Sequence, residues 1–202
     1  MVHGLARTPL SLVWLARVVR RAGYQTTYFG YWALAESYGR ILERLGSRLR
    51  SVATAGRYAI VAHSLGGLLV RAALADLRIP PPEHVVMLGT PNQRSRLAES
   101  AARLAPWRWL AGEAGRKLAD PEFYSELPGL SASYTVVAGT RGLRFSWLPL
   151  GRRVNDGLVA VDETPLELDD HVIEVVTGHT FMMNRRRVQR VVLVALGSHV
   201  SD

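Results

Sequence analysis

The chain has 202 residues, 48% of them apolar and 21% charged, a length and balance that fit one globular domain with a full core and argue against disorder. It has no cysteine, which excludes disulfides, thiolate metal sites and a cysteine nucleophile, and it has no apolar run long enough to span a bilayer. The formal net charge of +8 is carried almost wholly by arginine; scattered arginines with one tight run, Arg185-Arg186-Arg187, argue against nucleic acid and leave peripheral contact with an anionic membrane surface open.

Taken in chain order, short β-branched runs alternate with helical patterns. Val2 is the stump of a strand. Met1-Val2-His3-Gly4 leads directly into a motif with no signal peptide before it, so the chain as it stands is expected in the cytoplasm. Thr8-Pro9 reads as a helix cap with proline at the first helical position. That helix runs to about Ala22, with Leu12, Leu15, Val18 and Val19 on its apolar face, and Gly23 ends it. Gln25–Phe29 reads as a strand. A helix from about Ala35 to Val52 carries Ile41, Leu42, Leu45 and Leu49 at helical spacing.

Tyr58–Ala62 is a buried strand, Leu65 to about Leu77 a helix, and Val85–Leu88 a strand ended by Gly89-Thr90-Pro91. Tyr134–Ala138 and Val172–Val176 are two further strands, and Asn184–Leu196 is the last helix. Such alternation predicts an α/β domain over residues 1–202, with a mostly parallel sheet and helices on both faces. Residues 92–130 interrupt it with short helical pieces, Trp107 and Trp109. Such an insertion would lie above the carboxyl ends of the strands, where open sheets bind ligands.

The strongest local signal is Ala62-His63-Ser64-Leu65-Gly66-Gly67 between a strand and a helix. This is the setting of the G-x-S-x-G nucleophile elbow, with Ala62 in the place of the first glycine. The turn lifts the Ser64 hydroxyl out of the sheet and sets it at a helix start, where free N–H groups favour negative charge. A tetrahedral intermediate needs two donors on its oxygen. Leu65 N–H supplies one. In His3-Gly4-Leu5, Gly4 permits close backbone approach and Leu5 N–H is the second candidate, with His3 fixing the loop. His63 and Gly66 support the elbow.

The chain order of this motif is serine, acid, histidine. His179 follows a late strand through Thr177-Gly178 and is the expected base. His171, at the far end of that strand, is the runner-up, and His199 lies in a tail. Asp156, in the turn Asn155-Asp156-Gly157, is the expected acid, with Asp162, Glu163, Asp169 and Asp170 as competitors.

Together, His3-Gly4-Leu5, Ala62–Gly67, Leu88-Gly89-Thr90-Pro91-Asn92, Ala138-Gly139-Thr140, Asn155-Asp156-Gly157 and His179-Thr180-Phe181-Met182 resemble the small bacterial esterase/lipase branch of the α/β-hydrolases. The resemblance runs from His3 to about Leu196. It implies a minimal α/β-hydrolase fold with a short helical insertion above the site. It implies Ser64 as nucleophile, Asp156 as acid, His179 as base, Leu5 and Leu65 as oxyanion donors, and hydrolysis of a small-molecule or lipid carboxylic ester with no metal or organic cofactor. Two departures stand out. The strand before the His-Gly motif is cut to Met1 and Val2, so a start further upstream, with a targeting signal, is the alternative to a loose oxyanion site. Arg94 stands where the family tends to have glycine.

The same triad serves thioesterases and acyltransferases, and the fold also serves non-catalytic binding proteins. Trp107, Trp109, Leu104, Leu110 and Phe123 are read either as a lid over an acyl groove or as packing for the insertion. The sequence does not set the oligomeric state.

Overall fold

In the computed structural model the described residues are 1–76, 78–104 and 111–197. Four β-branched runs form parallel strands in the order β1 (Ala59–His63), β2 (His84–Leu88), β3 (Ser133–Gly139) and β4 (Val172–Val175). Parallel strands need crossovers, and the intervening chain supplies them as helices on both faces.

Alternate side chains of each strand therefore enter two different apolar layers. Ile60, Ala62, Val85, Met87 and Val136 pack with helix α2 (Tyr38–Thr54) and helix α3 (Leu65–Leu74). Val61, Val86, Leu88, Val137 and Val175 pack on the opposite side with helix α1 (Val13–Arg21), with Met182 and Met183, and with Val188 and Val192 of the last helix. In β1 and β2, burial on both faces is why the strands read as nearly unbroken apolar runs rather than alternating ones.

Among the described residues the insertion after β2 holds three short helices, α4 (Arg96–Ala101), α5 (Gly112–Lys117) and α6 (Pro121–Glu126); the last of the described helices, α7, is Arg186–Ala195. Among the described residues no helix is long and apolar enough to cross a membrane.

Several boundaries move for local reasons. The first helix opens as a 3₁₀ turn, Pro9–Leu12, before α1. Helix α2 starts after Ser37, whose side chain accepts the Arg40 N–H, rather than at Ala35. The expected strand Gln25–Phe29 is reduced to a single bridge at Phe29. Val2 makes parallel bridges to both Phe29 and Ala62, with Val2 N–H on Val61 O at 2.9 Å and His63 N–H on Val2 O at 3.0 Å. One residue thus continues the sheet beyond β1 and delivers His3 and Gly4 to the carboxyl end of that strand.

Candidate active site

The turn from β1 into α3 puts Ser64 at φ 54° and ψ −128°, a left-handed conformation that a side chain rarely tolerates. Ala6 is the other non-glycine residue with positive φ among those described, at 53°. It closes a turn in which Arg7 N–H reaches Gly4 O at 3.3 Å. Both strained residues border the same spot. A β-carbon on Gly4 would stand 2.9 Å from the Ser64 β-carbon, so only glycine lets the two loops meet. Gly66 is required for a related reason: its β-carbon would fall 2.6 Å from His3 O and 2.8 Å from Val2 O, backbone atoms that cannot yield.

His3 anchors the loop. Tyr31 N–H donates to His3 Nε2 at 3.3 Å and Tyr31 O–H to His3 O at 2.9 Å, while the two rings stack at 4.3 Å. With Nε2 accepting, Nδ1–H is left to donate to Gly4 O at 2.9 Å. Among the described residues neither Leu5 N–H nor Leu65 N–H has an acceptor. These two donors flank Ser64 from separate loops.

Asp156 lies in the connection between β3 and β4 and is buried, with three donors on its carboxylate. Leu158 N–H and Val159 N–H reach Oδ1 at 3.0 and 2.8 Å, and His179 Nδ1 reaches Oδ2 at 2.7 Å. The Asn155 carboxamide braces the turn, accepting Gly157 N–H and donating to Leu143 O and Arg153 O. Gly139 makes room, since its β-carbon would stand 2.7 Å from that of Asp156. The backbone joins the pair again through His179 N–H on Asp156 O at 2.9 Å.

The His179 ring lies over Gly89, whose β-carbon would stand 3.1 Å from Nδ1 and Cε1. Ser64 N–H holds the carbonyl of the preceding Leu88 at 2.9 Å, so serine and imidazole reach one edge of the sheet from either side of the Leu88–Gly89 turn. Among the described residues no hydrogen bond joins Ser64 Oγ to His179. With Nδ1–H on Asp156, the unprotonated Nε2 is free to accept a proton.

His63, covalently next to Ser64, donates from Nε2 to the carbonyl of His179 at 3.1 Å, and its ring lies 4.8 Å from the His179 ring. A carbonyl only accepts, so His63 carries its proton on Nε2, and its buried Nδ1 is left without a partner. Burial holds His63 well below its ordinary pKa of 6.5, and the neighbouring His179 pushes it the same way; burial also lowers His3. In the unfolded chain both protonate near their ordinary value. Below pH 6.5 the unfolded state therefore binds more protons, and stability falls. Glu163, whose buried carboxyl is pushed up, has the opposite sign but is one group against three histidines, since burial lowers His84 as well. The melting temperature is expected to drop on acidification from neutral pH towards about pH 5, with His63 alone contributing up to about 1.4 kcal/mol per pH unit. An unchanged melting temperature over that range would contradict neutral, buried histidines.

No family model and no curated protein matches the sequence. Solved structures do match. The chain is similar to the mature form of the Bacillus licheniformis lipase BlEst2, with a TM-score of 0.78 at 21% identity over 98% of this chain and 90% of that one. An extracellular α/β-hydrolase from a Paenibacillus species matches with a TM-score of 0.59 at 13% identity over 96% of both chains. The RedJ thioesterase of prodiginine biosynthesis in Streptomyces coelicolor matches with a TM-score of 0.56 at 15% identity, over 97% of this chain and 87% of that one.

The chain has the α/β-hydrolase fold.

In this α/β-hydrolase frame the rival residues are held elsewhere. His171 is exposed at the amino end of β4, across the sheet from Ser64. His199 lies outside the described residues. Asp162 pairs with Arg96 and Arg153; Glu163 accepts the Ala160 and Arg96 N–H groups; Asp170 takes the Leu166 and Glu167 N–H groups and the Tyr134 hydroxyl. Among the described residues neither these three nor Asp169 bonds His179. Arg94 turns to Glu99.

Of the residues read as either lid or packing, one is described in the core. Phe123 is buried in the main core, edge-on to Tyr38 and Tyr124. Trp107, Trp109 and Leu110 fall outside the described residues, and Leu104 is exposed. Exposed apolar groups stand in the same loops as the acid and the base: Leu143, the stacked pair Phe145 and Trp147, and Leu158 in the β3–β4 connection that carries Asp156, and Phe181 just after His179. The sequence reading missed these groups, because an exposed aromatic in a loop has no periodicity to mark it. It also missed Tyr31, whose position only the stack on His3 reveals.

Proposed function

We propose that the chain is a serine hydrolase of carboxylic esters, with Ser64 as nucleophile, His179 as base and Asp156 as acid. One observation carries the reading: a strained serine at a strand-to-helix turn shares a sheet edge with a buried Asp–His pair 2.7 Å apart. Strain of this kind persists where the surroundings impose it, and here Gly4, Gly66 and the Val2 bridge impose it.

His179 Nε2 takes the Ser64 proton as Oγ attacks the ester carbonyl. Asp156 holds Nδ1–H and stabilises the imidazolium. The carbonyl oxygen, now anionic, sits between the Leu5 and Leu65 N–H groups, each donor contributing about 3 kcal/mol to the transition state. The C–O bond to the alcohol breaks, and the alcohol leaves with the proton from His179. Water attacks the acyl-enzyme by the same relay. Contacts between nucleophile and base are often long in unliganded enzymes and tighten when substrate binds, which is the role left to the unmade Ser64–His179 hydrogen bond.

Exposed Leu143, Phe145, Trp147, Leu158 and Phe181, in the loops that carry Asp156 and His179, favour an apolar acyl group. Hydrolysis of p-nitrophenyl esters is expected to rise from acetate to medium-chain acyl groups, by up to about fourfold per methylene, since each fully buried CH₂ contributes about 0.8 kcal/mol. A flat or falling series would reject the apolar groove and leave a small-ester site. A thioesterase reading is favoured by the likeness to the RedJ thioesterase. Faster turnover of matched acyl thioesters than of oxygen esters would decide for it.

A further inference from the structure

The arginines are spread along the sequence, but their excess over the acids is not. Residues 1–35 and 175–197 contain Arg7, Arg17, Arg20 and Arg21, and then Arg190 and the run Arg185–Arg187, with no Asp or Glu in either stretch. Setting these eight aside leaves 17 basic residues against 17 acidic ones, so the formal charge of +8 equals what the two chain ends contribute. The fold brings those ends together, because α1 and α7 cover the same face of the sheet. Among the described residues no carboxylate pairs with any of the eight.

A groove of about 540 Å³ runs between the two helices, lined by Trp14, Arg17 and Arg21 on one side and by Asn184, Arg186 and Gln189 on the other. Leu10, Val13 and Trp14 form an exposed stripe on the turns just ahead of the arginines, and the Arg17 guanidinium lies over the Trp14 ring. This end of the stripe follows directly from the Gly4–Arg7 turn beside Ser64. Arg7 itself lies over Phe181 at the site's rim.

We propose that the α1–α7 face is a docking surface for an anionic phospholipid bilayer. Its arginines meet the headgroup phosphates, and Leu10, Val13 and Trp14 enter the boundary with the acyl chains. Unpaired arginines beside exposed aliphatic and indole side chains match a surface that is anionic outside and apolar just beneath. A phosphodiester groove would offer Leu10 and Val13 nothing. The site edge with Ser64 then lies at the margin of the contact.

The test is cosedimentation of the full chain, carrying Ser64→Ala so that hydrolysis plays no part, with phosphatidylcholine vesicles and with mixed phosphatidylcholine–phosphatidylglycerol vesicles. Binding is expected only to the mixed vesicles, and it should weaken steeply with added salt. Replacing Arg17, Arg21 and Arg186 together by Gln should lower partitioning by about a hundredfold, since each basic group near such a surface contributes about fivefold. Trp14→Ala should lower it several-fold while leaving the salt dependence as it was. Replacing Arg40, Arg57 and Arg78 by Gln changes the net charge equally on other surfaces and should lower it by less than about fivefold. Should the first triple variant fold poorly, Arg17→Gln and Arg186→Gln singly should each show the fivefold loss. Equal losses in the two triple variants, no binding to mixed vesicles at low salt, or tighter binding to an RNA oligonucleotide that the same arginines control would each overturn the proposal.

Discussion

Replacing Ser64 by Ala is expected to lower ester turnover by about a million-fold, to a residue of catalysis set by the oxyanion donors and binding alone. The substitution removes one oxygen from a half-buried position and should leave the fold intact. Positive φ at residue 64 is a strain that serine and alanine share, so melting temperatures of the two proteins should agree closely. A loss of activity with unchanged melting would assign the effect to chemistry. Turnover surviving within a few-fold would mean that another group attacks the ester.

Asp156→Asn is the second large effect, and its sign follows from hydrogen-bond inventory. The carboxylate accepts the Leu158 and Val159 N–H groups on Oδ1 and His179 Nδ1–H on Oδ2. An asparagine keeps an oxygen for the two backbone donors and so must turn its NH₂ towards His179. That NH₂ only donates, which forces Nδ1 to accept and moves the imidazole proton to Nε2. The base then faces Ser64 already protonated. Turnover should fall by about ten-thousand-fold with little change in substrate KM. A drop of only a few-fold would show that the pair orients the loop without governing proton transfer.

How much of this was legible in the sequence depends on where each contact lies along the chain. Ser64 stood out because everything that makes an elbow is local: a β-branched run, a serine, two glycines and a helix. The position of His179 followed from chain order. Asp156 was one acid among five, since its selection depends on a turn braced by Asn155 and on the glycine at 139, and neither effect has a spacing rule. The bond from His63 to the backbone of His179 spans 116 positions and involves a carbonyl, which carries no sequence signal. The arginines were read as scattered because the two stretches that hold the excess sit at opposite ends of the chain. Only the packing of α1 and α7 on one face makes them a single surface. The bridges of Val2 to Ala62 and Phe29, which carry His3 and Gly4 to the elbow, likewise join segments far apart in the sequence.

Peptide mapping by mass spectrometry after treatment with a fluorophosphonate probe tests the central assignment most directly. A single phosphonyl adduct on Ser64, formed by the native protein and absent after heat denaturation or in the Asp156→Asn variant, is the predicted result. An adduct on a different residue, or none on folded protein that still hydrolyses esters, would contradict it.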